Sequence, residues 1–153
     1  RALHAIELAP GSGEIAVIAG LVLAHGGRTA DAQTLLEQGL RVEKQLNPLH
    51  AWAAGIVYFA TGDHARGRDA LRDILRQVPQ LTAANVLLAA HHMLLGETTQ
   101  AVALARSIHA SAPRLLDPLV IQRGHFHWRD DAVTRRMVDA LAEACRLAGI
   151  AQA

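Results

Sequence analysis

The chain has 153 residues, of which 51% are hydrophobic and 19% are charged, a composition that excludes an intrinsically disordered segment and predicts a folded core. Aromatic residues make up only 3%, so the apolar content comes from Ala, Leu, Val and Ile, which is typical of closely packed helices. The formal net charge of +1 argues against a surface built to neutralise several phosphates, and we therefore expect no nucleic-acid partner.

The start of the chain predicts an incomplete helix pair. Residues 1–12 match the end of a helix-turn-helix unit, and they contain neither a methionine nor a basic-then-apolar signal region. We therefore expect the chain to be a piece of a longer protein. The longest uninterrupted apolar stretches, such as residues 15–19 and 86–90, are far shorter than the roughly 20 residues that span a bilayer, so no membrane span is predicted.

A period of 34 residues organises the middle of the chain. Six residues, which lie at predicted turns, helix crossings and helix ends, each have a counterpart 34 residues later. The pairs are Gly55/Ala89, Tyr58/His92, Gly62/Gly96, Gly67/Ala101, Ile74/Ile108 and Pro79/Pro113. Gly27 takes the turn position one unit earlier, 35 residues before Gly62. After the partial unit at 1–12, the spacing predicts three helix-turn-helix units at about 13–47, 48–81 and 82–115.

Small residues recur where the two helices of each unit would cross, and they predict a close approach of the helices. They are Gly20, Gly55 and Ala89 in the first helices and Ala32, Gly67 and Ala101 in the second.

Residues at the predicted helix boundaries agree with the period. Ser12, Asn47 and Thr82 are candidate N-caps, and Pro79 and Pro113 lie where a second helix must stop. In the first unit Lys44 stands in place of that proline, and one extra residue lengthens the second helix or its exit.

The period is lost after Pro113, where we predict an irregular segment and then a final helix from about Asp131 to Gly149. The final helix has an apolar stripe that predicts packing on the third unit, formed by Val133, Met137, Leu141, Cys145 and Ala148. Residues 117–153 are therefore predicted to cap an array formed by residues 1–116. Phe126 and Trp128 are predicted to pin the irregular segment onto the last unit, the alternative being an exposed hot spot for a partner.

Residues 1–115 resemble the tetratricopeptide repeat family, most closely over 51–79, where Gly55, Tyr58, Gly62 and Pro79 hold the family's residue types. The resemblance implies an all-α superhelix of stacked helix-turn-helix repeats that binds other molecules and is not an enzyme. The run Arg146-Leu147-Ala148-Gly149, together with residues 126–131, is similar to the tail of repeat regions in bacterial class III nucleotide cyclases and some winged-helix transcription regulators. That likeness implies a regulatory or docking module of a larger bacterial signalling protein.

The first helices of such an array line its concave side, and their phase predicts an apolar groove for a protein or peptide partner. The predicted groove residues are Val17, Leu21, Ala24, Trp52, Ile56, Phe59, Val86, Ala90 and Met93. The groove lacks the Lys, Arg or Asn clamp that captures an acidic chain terminus. Its occupant is left open between an apolar peptide, a small hydrophobic ligand, a second copy of the chain and the chain's own tail.

Neither catalysis nor a cofactor is expected. His91, His92, His125 and His127 are the nearest approach to a metal cluster but lack a recognised ligand spacing, and His92 is predicted to be a packed residue. Cys145, on the apolar stripe, is predicted to be a buried neutral thiol. A single cysteine does not decide the cellular compartment, but it is compatible with a reducing cytosol, and we expect a cytoplasmic protein.

Four arginines with interleaved aspartates predict a solvated outer face, namely Arg66, Arg68, Arg72 and Arg76 with Asp63, Asp69 and Asp73.

Overall fold

The structure, a computed structural model, describes residues 2–9, 11–43, 47–124 and 126–151, and within these ranges every regular element is a helix. The prediction of an all-α superhelix of repeats is confirmed. Successive helix pairs stack, with the first helix of each pair packing on the first helix of the next. No helix in the described part of the chain is long and apolar enough to cross a membrane.

Three helix pairs form the body of the array. They are α2 (Gly13–His25) with α3 (Thr29–Val42), α4 (Pro48–Thr61) with α5 (His64–Gln77), and α6 (Thr82–Leu94) with α7 (Thr98–Ser111). A short helix, α1 (Ala2–Leu8), precedes them and packs on α2. The three turn glycines have φ of 82°, 86° and 74° at Gly27, Gly62 and Gly96. This left-handed conformation suits glycine, so their predicted role at the ends of the first helices is confirmed.

Side-chain caps begin several helices. The Oγ of Ser12 accepts from the N–H of Ile15 at 3.3 Å, and the Oδ1 of Asn47 accepts from the N–H of His50 at 3.0 Å. Both predicted caps are confirmed. The prediction for Thr82 is wrong, because Thr82 is already the first residue of α6 and its hydroxyl donates to the carbonyl of Gln80.

The small residues at the helix crossings are needed for packing, as predicted. A Cβ added to Gly20 would lie 2.8 Å from the carbonyl oxygen of Ala32, and one added to Gly55 would lie 2.9 Å from Leu71 and Leu87. At Gly67 the added atom would lie 2.3 Å from the imidazole of His91, which belongs to the next pair. The lack of a side chain at these glycines therefore allows close packing between neighbouring units as well as between the two helices of one unit.

The second helices of the array have equal lengths, since α3, α5 and α7 each have 14 residues. The extra residue of the first unit therefore lies in the exit from α3, and the prediction for Lys44 concerns a position outside the described residues. Pro79 and Pro113 follow the ends of α5 and α7 as predicted.

The C-terminal part consists of a 3₁₀ turn (Pro113–Leu116), the short helix α8 (Pro118–Arg123), a stretch at 126–130 without regular secondary structure and the long helix α9 (Asp131–Ala148). The helix α9 packs on α6 and α7, so its predicted docking on the third pair is confirmed. Val133, Met137, Leu141 and Cys145 of the predicted stripe are buried. Gly149, with φ of 74°, ends the helix as predicted.

Charged side chains of α5 form ion pairs on the outer surface. The guanidinium of Arg66 lies 2.7 Å from the carboxylate of Glu37 in the preceding pair, and Arg68 pairs with Glu97 in the following one. Surface ion pairs of this kind contribute little to stability, because water and salt screen the two charges. Arg66, Arg72 and Arg76 are exposed, as expected for a solvated outer face.

Candidate functional site

The irregular stretch before α9, residues 126–130, lies against the first helices α2 and α4, and we call it the strap. Trp128 is completely buried and Phe126 is 5% exposed. Two large aromatic side chains from outside the repeats thus fill space on the side where the groove is predicted. The chain's own tail was one of the four occupants that the sequence left open.

Aromatic stacking holds the strap in place. The indole of Trp128 stacks on Phe59 of α4 with ring centroids 5.3 Å apart, and on His25 of α2 at 5.8 Å. Phe126 lies 5.8 Å from Trp52, which is about two turns before Phe59 on α4. The prediction that these aromatics pin the segment is confirmed, but these contacts are to the first and second helix pairs and not to the last.

Hydrogen bonds fix the backbone of the strap at two points. At the end of α2, the Nδ1–H of His25 donates to the carbonyl of His127 at 3.0 Å, and the N–H of Arg129 donates to the carbonyl of His25 at 2.8 Å. At the start of α9, the Oγ1 of Thr134 accepts from the N–H of Trp128 at 3.0 Å and donates to its carbonyl at 3.1 Å. The strap therefore links α2 to α9 directly.

A pair of histidines lies on the other side of Phe59. The rings of His64 and His91 each contact Phe59 edge-on, with centroids at 5.3 Å. The Nε2 of His91 is 3.1 Å from the carbonyl oxygen of Gly55, and since a carbonyl only accepts, this nitrogen carries the proton. The Nδ1 of neutral His91 is then an acceptor, and the Nδ1–H of His64 donates to it at 3.2 Å.

This hydrogen-bond order needs His91 to be neutral, because its Nδ1 accepts, and needs His64 only to carry a proton on its Nδ1. Burial lowers the pKa of His91 to about 3, and the neighbouring His64 and His92 act in the same direction. Burial also lowers the pKa of His64, as does the positive charge of Arg136. The pair is therefore uncharged at neutral pH. His92 is buried as predicted, with its Nδ1 2.5 Å from Glu97.

The predicted groove residues divide into a buried and a partly buried set. Val17, Ala24, Ile56, Phe59, Val86 and Ala90 are fully buried in the core, whereas Leu21, Trp52 and Met93 are partly buried and pack against it. The first set is therefore not accessible to a partner in this arrangement. Contact of the strap with Trp52 and Phe59 agrees with one of the four occupants that the sequence left open, the chain's own tail. Two aromatic residues in the tail of a chain with few aromatics were a usable signal for singling it out.

Trp52 lines an open apolar pocket of about 320 Å³ next to the strap. The pocket lies between the N-terminal ends of α4 and α6, and its other lining residues are Pro48, Leu49, Leu81 and Ala83. Leu49 is 37% exposed. Of the predicted groove residues, Trp52 is thus the one that a partner can contact at this pocket without moving the strap.

The described residues do not bring together a catalytic constellation. No group of three or more His, Cys, Asp or Glu side chains in this part of the chain could hold a metal ion. Cys145 is buried as predicted, and Ser12 serves as a helix cap. What the described surface offers is an apolar patch, which suits binding of another apolar group.

Comparison with known proteins places the chain in a family. A family model described as tetratricopeptide repeat matches residues 19–82 and 53–114, which together span more than half of the chain. Neither the curated proteins nor the solved structures contain a match. Repeats of this kind generally mediate protein–protein interaction. From the stacked helix pairs and the matched repeats, the chain belongs to the tetratricopeptide repeat family.

Proposed function

We propose that the chain is a non-catalytic protein-interaction module that binds an apolar segment of a protein partner at the pocket around Trp52. The observation that carries the proposal is this open apolar pocket, with an indole on its wall and the exposed Leu49 at its edge. Tryptophan is enriched among the residues that dominate binding energy at protein interfaces. The mechanism is insertion of an apolar side chain beside the indole.

The side chains packed around Trp52 favour a binding surface with a fixed conformation. Trp52 contacts Phe126 of the strap, and Phe126 in turn lies 6.4 Å from the buried Trp128. The predicted groove residues Ile56, Phe59 and Val86 support the surface from within the core. Val17 holds the position of Trp52 in α2, whereas Leu21 and Met93 lie farther along their helices. An anchor held by packed neighbours loses little side-chain freedom on binding.

The pocket is better suited to a side chain than to a whole small ligand. Sites for small molecules usually enclose 70–90% of the ligand surface in about 300–1,000 Å³. A volume of about 320 Å³ that is open to solvent is at the lower limit of this range. Sensing of a small apolar ligand is therefore the less favoured function, and self-association through the same pocket is the other alternative.

The wider context belongs to the same proposal. The run Arg146 to Gly149 supports a place at the end of a larger bacterial signalling or regulatory protein, in which this module docks a partner or reports on its binding. The sequence of the full-length gene product tests that context directly, because a cyclase or winged-helix domain ahead of the repeats is the expected finding.

The binding proposal is tested with a random peptide library displayed on phage and selected against the folded chain. We expect the selected peptides to carry large apolar side chains and to lose at least about tenfold in affinity, roughly 1.4 kcal/mol, with Trp52→Asp. Leu119→Asp is the matched control, since Leu119 is 57% exposed on α8, away from the pocket. Equal affinity for the chain and a folded Trp52→Asp variant would refute the proposal.

A further inference from the structure

Two large apolar side chains on α2 are exposed. Ile18 is 39% exposed and Val22 is 53% exposed, and they lie four residues apart on one face of the helix. The helix α1, which packs on α2, carries the exposed Leu3. This end of the array therefore presents an apolar surface.

The repeat register shows what normally covers these positions. First helices begin at Gly13, Pro48 and Thr82, so Ile18 corresponds to Ala53 and Leu87, and Val22 to Val57 and His91. All four counterparts in the second and third pairs are fully buried. Exposure at these two positions is thus confined to the first pair.

The third pair shows how such residues are buried. Leu87 packs against Gly55 in the first helix of the preceding pair, where an added Cβ would lie 2.9 Å from it. His91 packs against Gly67 in the second helix of that pair and donates to the carbonyl of Gly55. Residues at these positions therefore contact a complete preceding helix pair through its small residues.

The helix α1 matches the second helix of such a pair. It ends at Leu8, and the second helices α3, α5 and α7 end at Val42, Gln77 and Ser111, so the four ends are spaced by 34, 35 and 34 residues. Each of α3, α5 and α7 packs against the first helix of its own pair as well as against the first helix of another pair or the cap, whereas α1 packs only on α2, the first helix of the following pair, within the described residues. The uncovered face of α2 lies where that helix would pack.

We propose that the surface formed by α1 and α2 binds an α-helix of the first-helix type, supplied by the same polypeptide ahead of α1. This helix would place a small residue against Ile18, as Gly55 does for Leu87, and would pair with an extended α1. The inference rests on the repeat register and is independent of the pocket around Trp52. An apolar face with a defined helical partner explains why Ile18 and Val22 are not polar.

The chain itself provides the probe. By register residue 1 corresponds to residue 70, because Ala5, Gly39 and Ile74 are spaced by 34 and 35 residues. A copy of residues 47–69 joined ahead of Arg1 would therefore complete the first pair with a cap, a first helix, a turn glycine and the start of the second helix. It would place copies of Gly55 and Gly67 opposite Ile18 and Val22.

We expect this extension to raise the Tm of the full chain by about 5 °C, as about 1–2 kcal/mol of added stability would in a domain of this size. The gain should disappear with Val22→Asp, and also when the copied segment carries Gly55→Leu and Gly67→Leu. Val22→Asp alone should leave the unextended chain folded, because the side chain is exposed.

Three outcomes would overturn the proposal. The first is no rise in Tm with the extension, and the second is an equal rise with the leucine-substituted extension. The third is a dimer of the unextended chain in sedimentation velocity that Val22→Asp converts to monomer, because a second copy would then cover the face.

Discussion

The indole of Trp128 stacks on the phenyl ring of Phe59 at a centroid distance of 5.3 Å and an interplanar angle of 23°. Trp128 comes from the strap and Phe59 from the last turn of α4, so this contact connects the C-terminal cap to the repeats. Both side chains are fully buried. The stack places the strap against the first helices of the array, where it covers Phe59 of the predicted groove.

Removing the indole should therefore destabilise the whole chain. Trp128→Ala is expected to lower the free energy of unfolding by about 3–5 kcal/mol, as for other buried aromatic side chains. Trp128→Phe should cost much less, because the indole N–H is buried without an acceptor among the described residues and the substitution removes it. Urea denaturation followed by circular dichroism measures both, and equal losses for the two variants would contradict this account.

The helix pairs could be predicted because their signals are local and periodic. A glycine with positive φ and a small residue at each crossing recur at fixed spacing, so Gly62 and Gly96 mark the turns without knowledge of tertiary structure. The target of the strap could not be predicted in this way. Trp128 follows the loss of the period and contacts residues about a hundred positions away, so its placement depends on docking of the complete cap.

The helix N-caps could be predicted only in part from the sequence. Asn47 and Thr82 both precede or begin a first helix and both have suitable side chains, yet only Asn47 accepts a backbone N–H. Asn47→Ala should cost about 1 kcal/mol of stability, whereas Thr82→Ala should be nearly neutral. Thermal denaturation of the two variants distinguishes them, and a loss at Thr82 as large as that at Asn47 would be inconsistent with this assignment.

Gly67 should be intolerant of even a methyl group. Alanine is favoured over glycine in a helix by about 1 kcal/mol, but at this position the added Cβ would lie 2.3 Å from the ring of His91. We expect Gly67→Ala to destabilise the chain by about 1–3 kcal/mol through overpacking. Gly11→Ala is the control, because no atom lies within 4 Å of its added Cβ. A Gly67→Ala variant with raised Tm would show that the contact with His91 relaxes freely.

The neutral histidine pair predicts a dependence of stability on pH. The pKa of His91 is about 3 in the folded chain, below the ordinary 6.5, because of burial. Between these values the unfolded chain binds a proton that the folded chain does not. The stabilisation is therefore fully present above pH 6.5 and is lost progressively as the pH falls towards 3.

We therefore expect the free energy of unfolding to fall by about 2 kcal/mol between pH 7.5 and pH 5.0 on account of His91. Each pH unit below the pKa of the unfolded chain contributes about 1.4 kcal/mol to this loss. Urea denaturation at the two values measures the change. His91→Gln should reduce this difference while lowering stability at pH 7.5, because glutamine does not titrate but leaves part of the ring's space empty. His109→Gln, at an exposed position of α7, should leave the difference as it is in the unchanged chain. If His91→Gln retained the full difference, the burial of a neutral His91 against Phe59 would not be its source.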